Sequence, residues 1–268
     1  MRIGFFAFIL VIVLLSCFSQ EANNQTAINQ ENYSFICETC STIETRFAPP
    51  NGFKKIEVES FSFATYLRNL PLKPINEKVR YFDGRIKGNQ NVYLSVIAMD
   101  IDAQDLQQCA DAVMRLKGEY HYHKKEYEKI HFNFLSDGKP RFYKDYVNGD
   151  YSYKKFRKYM RYIFSYANTA SLYDEMEKVS FDSMKIGDVF IQKRNPYGHA
   201  VIVVDMAENT VTGGKIFMLA QSYMPAQETQ ILVNPNHSSL SPWYELKTGE
   251  IRTPEWTFTS DDLRRFKE

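Results

Sequence analysis

The sequence predicts an α+β domain in which helices pack on an antiparallel, barrel-like sheet. Two helices are expected at roughly residues 104–121 and 153–170, where apolar side chains recur at spacings of three and four. After residue 187 the chain reads mainly as strands, without the repeated strand-helix alternation that builds a parallel sheet. Because helices and strands are segregated along the chain in this way, we predict helices packed on one antiparallel sheet.

The composition is that of a globular protein with nearly balanced charge. Of the 268 residues, 44% are hydrophobic and 15% are aromatic, which is ample for a packed core. The 33 Lys and Arg residues face 32 Asp and Glu residues, so the chain carries no electrostatic footprint for nucleic acid. We therefore expect no nucleic-acid partner. We also expect no cofactor, and we predict a single folded domain over residues 49–268.

The first residues predict an export signal. An apolar run over residues 3–15 follows Arg2 and is too short for a membrane-spanning helix. The run ends in Leu14-Leu15-Ser16-Cys17, which resembles the lipobox of bacterial lipoproteins, where a signal peptidase cuts before a cysteine that is then diacylated. This resemblance implies a signal peptide over residues 1–16 and a lipid anchor on Cys17 that holds the protein at a membrane of the bacterial cell envelope, facing the periplasm or in the outer membrane. The alternative is an ordinary secretory leader with an incidental cysteine.

A polar segment follows the predicted anchor. Residues 17–48 are expected to form an acylated, largely disordered tether, because most of this segment is rich in Asn, Gln and Glu. It contains Cys37-Glu38-Thr39-Cys40, which lacks the helix or the second cysteine pair of a redox or metal site. We consider a local disulfide or two idle thiols for this pair. Pro49-Pro50-Asn51-Gly52 marks the expected start of the folded part.

Short elements are predicted before the first long helix. Ser60 or Ser62 is expected to cap a short helix, and a strand is expected from Val92 to about Met99. Asp102 or Asp105 then has the right position to cap the helix at 104–121.

Cys109 lies on the apolar face of that long helix and is the only cysteine within the predicted domain. It is either a small hydrophobic residue of the core or a nucleophile whose thiol pKa is lowered by a nearby imidazolium and by the helix dipole. A position one turn into the predicted helix weakens the dipole argument, because the effect fades within the first turn.

Three histidines in the middle of the chain do not form a metal-binding pattern. His121 and His123 point to different faces of a helix, and no cysteine or carboxylate set completes a site with His131, so we predict no metal. Residues 130–134 alternate as a half-buried strand, and residues 137–149 are expected to be loop. The second helix presents a basic outer face, which is either solvated or meets anionic lipid or cell-wall polymer.

The stretch from Gly187 to Gln221 concentrates the features that point to chemistry. Gly198 permits a sharp turn before His199, which opens the apolar run Val201–Val204, so the imidazole is expected at the rim of a buried strand. Gln221 lies where its amide can orient an imidazole on the adjacent strand. The alternative without a catalytic role is a histidine at the rim of the sheet that is hydrogen-bonded to a neighbouring loop. The predicted strands after residue 187 are 189–192, 199–206, 215–222 and 229–233.

The C-terminal segment is expected to close the domain. Trp243, Trp256 and Phe258 are predicted to cover a sheet edge, and Ser260 is predicted to cap a last short helix.

The order Cys109, His199, Gln221 resembles that of papain-like NlpC-type endopeptidases and their CHAP amidase relatives. The resemblance implies that Cys109 is the nucleophile, His199 the base and Gln221 the residue that orients the base. It implies a papain-like fold and a cysteine hydrolase or amidase that acts on a peptidoglycan-type amide of the cell envelope, without a cofactor. We expect the substrate groove to include Asp83, Arg85, His131 and Tyr197.

From about Phe53 onwards the chain also resembles a family of bacterial lipoproteins known only as a domain of unknown function. The matching segments are 67–71, 83–85, 106–116 and 220–225. This resemblance implies no activity. The alternative function is therefore a non-catalytic envelope lipoprotein that binds a ligand such as a peptidoglycan fragment or has a structural role.

Overall fold

The protein was analysed as a computed structural model that describes residues 35–267. The predicted signal peptide, Cys17 and the first half of the predicted tether lie outside these residues. Within them, a mixed α/β fold is built around a nine-stranded sheet in which every strand pair is antiparallel. The predicted antiparallel sheet is thus confirmed.

The main path of this sheet runs β2-β9-β8-β7-β6-β13-β5, with β1 beside β7 and β10 beside β8. Its strands are β1 (Phe53–Lys55), β2 (Tyr93–Val96), β5 (Glu177–Lys178), β6 (Val189–Gln192), β7 (His199–Asn209), β8 (Lys215–Gln221), β9 (Gln230–Leu232), β10 (Tyr244–Glu245) and β13 (Leu263–Arg265). Two hairpins stand apart, β3 (His131–Asn133) with β4 (Pro140–Phe142) and β11 (Glu250–Arg252) with β12 (Thr257–Thr259).

The α-helices are α1 (Ile43–Arg46), α2 (Phe63–Arg68), α3 (Cys109–His123), α4 (Tyr143–Val147), α5 (Tyr153–Tyr166) and α6 (Thr169–Glu175). Helices α2 and α3 contact β7, and the β11–β12 hairpin reaches β6 through Phe258, whose ring lies 5.9 Å from that of Phe190. No helix among residues 35–267 is long and apolar enough to cross a membrane.

The sheet does not close into a barrel, which corrects that part of the prediction. Closure would require β2 and β5, the strands at the two ends of the sheet, to pair with each other. These two strands are not hydrogen-bonded to each other. Strand β5 has only two residues, and both are exposed. It therefore offers neither the length nor the apolar face that a closing strand needs.

The central strands were predicted correctly because they are apolar on both faces. All residues of β7 from His199 to Ala207 are buried, as are all of β6 and β9. Such strands are recognisable in a sequence as uninterrupted apolar runs. The short helix capped by Ser62 also forms as predicted, since the Ser62 hydroxyl accepts the N–H of Thr65.

Helix α3 begins five residues later than predicted. Residues 104–108 form tight turns in which the N–H groups of Leu106 and Gln108 donate to carbonyls two residues back. Asp105, predicted as a cap, instead accepts the backbone N–H of Ala226 at 2.6 Å. The residue that precedes the helix is Gln108, and Cys109 is its first helical residue.

The predicted second helix ends early. Ala167 has an extended backbone, and Asn168 caps the separate helix α6 by accepting the N–H groups of Ala170 and Ser171. The expected loop at 137–149 contains β4 and α4. The expected last helix is a short turn at Ser260–Asp262 followed by β13, because Leu263 finds a buried pairing position opposite Phe190.

Residues 35–48, placed by sequence in the tether, belong to the folded part. Ile43 and Phe47 are fully buried, and Arg46 is 2% exposed and donates to the carbonyls of Cys40 and Lys73. Cys37 and Cys40 form a disulfide, one of the two states considered. Because the segment is polar overall, its composition did not indicate the one amphipathic helical turn that packs into the core.

Candidate active site

Cys109 is held where the N-terminus of α3 meets the start of β7. Its sulfur lies 3.7 Å from the hydroxyl oxygen of Thr169, the first residue of α6. Hydrogen bonds from the backbone N–H groups of Ala200 and Ala110 lower the pKa of this thiol. Cys109 is the one free cysteine of residues 35–267, and 5% of it is exposed. Its position at the very start of the helix places it within reach of the helix dipole, contrary to the sequence-based estimate.

His199 is the first residue of β7, and its ring is held from several sides. Its Nε2 atom lies 2.9 Å from Oε1 of Gln221, the last residue of β8. The ring centroid lies 4.8 Å from that of Tyr223 and 5.3 Å from that of Trp256. Since the imidazole is 2% exposed, its orientation is set by these neighbours.

Gly198 is needed for close packing and not for a left-handed turn. A Cβ atom at this position would overlap the carbonyl oxygen of Gln192 and lie 2.9 Å from Cγ2 of Thr169. The chain therefore passes between β6 and α6 only because residue 198 has no side chain. This passage delivers His199 beside the helix that carries Cys109.

We call Cys109, His199 and Gln221 the candidate cluster. His199 and Gln221 are hydrogen-bonded to each other, whereas Cys109 lies nearby and has no hydrogen bond to the imidazole among residues 35–267. One of the two backbone N–H groups that lower the pKa of the Cys109 thiol belongs to Ala200, the residue directly after His199. Tyr223, in ring contact with His199, also interacts electrostatically with Cys109. Gln221 binds Nε2 of the imidazole, so Nδ1 is the nitrogen left for a thiol.

The cluster continues to two residues that the sequence did not indicate. Nε2 of Gln221 donates to Oε2 of Glu255 at 2.7 Å, and Nζ of Lys87 lies 2.8 Å from each carboxylate oxygen of Glu255. Lys87 lies in a turn-rich loop and Glu255 in the β11–β12 hairpin, so neither lies in a recognisable motif. Thr169 was likewise missed, because the prediction placed it inside a continuous helix.

Burial dominates the electrostatics of the cluster. It lowers the pKa of His199 to about 4, against the hydrogen bond that the imidazole donates to the Gln221 amide oxygen, which raises that pKa. Burial also raises the pKa of the Cys109 thiol, and the nearby carboxyl group of Asp111 raises it further, while Thr169 and the backbone N–H groups lower it. Both directions favour a neutral thiol and a neutral imidazole at pH 7, so Cys109 and His199 do not form a thiolate–imidazolium ion pair in the resting protein.

Asp111 connects the helix cap to the electrostatics of the thiol. Its Oδ2 atom accepts the N–H of Gln108 at 3.0 Å, while its Oδ1 atom is buried without a partner. Burial raises the pKa of this carboxyl group well above its usual value.

The residues expected in a substrate groove are not all gathered at this cluster. Asp83 and Arg85 form an ion pair with each other across an exposed turn, at 2.6 Å. Nδ1 of His131 lies 3.3 Å from a carboxylate oxygen of Glu175, on the wall of a separate cavity. Tyr197 is 61% exposed and lies two residues before His199, so it is the one of the four that adjoins the cluster along the chain.

Two of the cavities in the described part of the chain lie elsewhere. The larger, of about 870 Å³, is lined by His121, His131, Tyr120 and Phe266 among others, and the smaller, of about 270 Å³, lies around Arg115. Neither is lined by Cys109, His199 or Gln221. Residues 35–267 contain no group of three His, Cys, Asp or Glu side chains placed to hold a metal ion.

Comparison with known proteins yields one match. A family model described as a domain of unknown function, number 4846, matches residues 43–265. No curated protein and no solved structure matches the chain.

Proposed function

We propose that this chain, which belongs to the family of domain of unknown function 4846, is a cysteine-dependent hydrolase with a papain-like catalytic arrangement. Cys109 is the nucleophile, His199 the general base and acid, and Gln221 the residue that orients the imidazole. The substrate class we propose is a peptidoglycan-type amide of the cell envelope.

The observation that carries the proposal is the placement of Cys109. A thiol at the first position of a helix, with its sulfur against the N–H that follows His199, can attack a carbonyl while a neighbouring imidazole takes its proton. A cysteine that only fills space in the core requires neither the first position of a helix nor a neighbouring N–H group, because any small apolar side chain could pack there. The bond from His199 to Gln221 gives the imidazole the orienting partner that such a base requires.

The reaction proceeds through a thioester. As the sulfur of Cys109 bonds to the carbonyl carbon, Nδ1 of His199 takes the thiol proton, and the proton then passes to the leaving amine as the carbon–nitrogen bond breaks. Water next attacks the thioester while His199 takes its proton. The carbon–sulfur bond breaks, the sulfur regains a proton and the acid is released.

The proposed location follows from the leader. A signal peptide over residues 1–16 and diacylation at Cys17 would deliver the domain to the envelope, where peptidoglycan supplies amides. Replacing Cys17 with Ala should abolish incorporation of a palmitate analogue. Undiminished labelling of the variant would refute the lipid anchor without bearing on the hydrolase.

The catalytic proposal is tested with defined peptidoglycan fragments. Cys109→Ser should abolish release of the amine product while the melting temperature changes little. His199→Ala should also abolish it, with a lower melting temperature because the imidazole is buried. His237→Ala is the matched control, because His237 is exposed on a turn away from the cluster. Hydrolysis that persists in Cys109→Ser would exclude the thiol mechanism.

A second function is supported by the larger cavity. A space of about 870 Å³ lined by aromatic, histidine and lysine side chains is within the range of ligand sites, so non-catalytic binding of an envelope glycan or peptide is the alternative. Binding of peptidoglycan fragments that is unaffected by Cys109→Ser, with no turnover, would favour this alternative.

A further inference from the structure

A buried chain of polar groups extends from His199 away from the thiol. Gln221 is 1% exposed and donates its amide N–H to Glu255. Glu255 in turn accepts from Lys87, whose side chain is 3% exposed. Lys87 is buried and Glu255 is half-buried, and charged groups are costly to desolvate. A role for this pair in positioning a neighbouring side chain would account for that cost.

The chain determines which way the Gln221 amide faces. An ionised carboxylate can only accept hydrogen bonds, so the Gln221 group that faces Glu255 must be the NH₂. The amide oxygen then faces Nε2 of His199, 2.9 Å away. Because an amide oxygen only accepts, Nε2 must carry the imidazole proton, and Nδ1 is left with its lone pair.

Lys87 is the cation that pairs with Glu255. Its ammonium lies 2.8 Å from both oxygens of Glu255, so each carboxylate oxygen has a charged hydrogen-bond donor. Lys87 also lies 5.5 Å from the ring centroid of Tyr223, which itself packs against the imidazole.

We propose that Lys87 and Glu255 are positioning residues that hold His199 in the Nε2–H tautomer, so that Nδ1 is available as the base for Cys109. The inference rests on the proposed function for its catalytic meaning, but the tautomer itself is a property of the resting protein. A neutral imidazole with its proton on Nδ1 would present a donor to the thiol and could not take its proton.

The tautomer of His199 is measured by long-range ¹H–¹⁵N correlation spectroscopy on the full-length protein at pH 7. The protein has five histidines, and the His199 signals are those lost in His199→Gln. The wild type should show the Nε2–H pattern. An Nδ1–H pattern in the wild type would overturn the inference whatever any variant does.

Two variants and a control test the roles of the pair. In Glu255→Gln and Lys87→Met, a substantial fraction of His199 should shift to Nδ1–H. Alkylation of Cys109 by chloroacetamide at pH 7 should then slow by about 10-fold or more, because an imidazole in the wrong tautomer cannot take the thiol proton. Glu250→Gln, an exposed change in the same hairpin, should alter neither. An unchanged tautomer and alkylation rate in folded Glu255→Gln would refute the positioning role.

These outcomes are separable from the test of catalysis. If Cys109→Ser retains full hydrolysis, the proposed function fails while the tautomer result stands. If Cys109 is essential but His199 keeps the Nε2–H form in Glu255→Gln, the function stands and the positioning role fails.

Discussion

At the scale of single residues, the buried imidazole of His199 couples protonation to folding. Its pKa in the folded protein is about 4, against 6.5 for an unperturbed histidine, because burial disfavours the charged form. The unfolded chain therefore binds a proton in the window between pH 6.5 and 4 that the folded chain does not bind. Stability is fully present above pH 6.5 and falls as the pH is lowered through this window.

We therefore expect His199→Gln to lose less stability on acidification than the wild type. Between pH 7 and 4.5, the free energy of unfolding should fall by about 2 to 3 kcal/mol less in the variant, at about 1.4 kcal/mol per unit of pKa. The difference is read from urea unfolding curves at the two pH values. His121, whose pKa burial also lowers to about 4, titrates in both proteins and cancels. Parallel losses in variant and wild type would show that His199 is not held neutral by the fold.

Gly198 makes a second prediction at this scale. Gly198→Ala forces a Cβ against Gln192 and Thr169, so the backbone must shift and carry His199 with it. The expected cost is about 1 to 3 kcal/mol, as for other overpacking changes, together with slower alkylation of Cys109.

Gly88→Ala is the matched control for this change. A Cβ at Gly88 meets nothing within 4 Å, so the substitution should change the free energy of unfolding by less than about 1 kcal/mol. Equal effects of the two substitutions would contradict the packing argument.

At the scale of elements, α2 is joined to β7 by a buried ion pair. Arg68, the last residue of α2, places Nε 2.6 Å from Oδ1 of Asp205, which is fully buried and follows a bulge in β7. The same guanidinium donates to the carbonyls of Ile56 and Met206. Lys55 of β1 adds a second cation, 2.8 Å from Oδ2 of Asp205.

Removing Arg68 should therefore be strongly destabilising. Arg68→Met leaves a buried carboxylate with one of its two cations, and we expect a loss of about 3 kcal/mol or more in the free energy of unfolding. Combining it with Asp205→Asn should cost less than the sum of the two single changes, because the uncompensated charge is removed.

The control is Lys54→Met. Lys54 pairs with Glu57, but both side chains are largely exposed, so the change should cost less than about 1 kcal/mol. Additive costs for Arg68→Met and Asp205→Asn would show that the pair is not coupled.

At the scale of the whole molecule, the fold begins before the residue at which the sequence predicts it. The family model starts at residue 43, and the described core already includes Ile43 and Phe47. Trp243, fully buried near the other end of the chain, donates its indole N–H to the carbonyl of Ala48 at 3.2 Å.

Two truncations test this boundary. A chain that starts at residue 49 should be several kcal/mol less stable than one that starts at residue 35, because removing the buried Ile43 and Phe47 costs about 2 to 5 kcal/mol each. Thermal and urea unfolding of the two chains measure the difference. Equal stability would mean that residues 35–48 are dispensable.

The sequence by itself determined the central strands and the candidate triad. Long apolar runs such as that of β7 can only be buried, and a histidine after a glycine at the head of such a run stands out locally. Cys109 and Gln221 were named because each lies in a recognisable helix or strand. These signals are local, so they can be recognised in the amino-acid sequence alone.

Tertiary structure alone decided where α3 begins, whether the sheet closes and what lies behind Gln221. Helix α3 starts at Cys109 because Asp105 is used by Ala226, a residue 121 positions away. Glu255 lies 34 positions from Gln221 and 168 from Lys87, and neither Glu255 nor Lys87 lies in a motif. Such contacts depend on which segments the core brings together, and that is a property of packing which local periodicity does not encode.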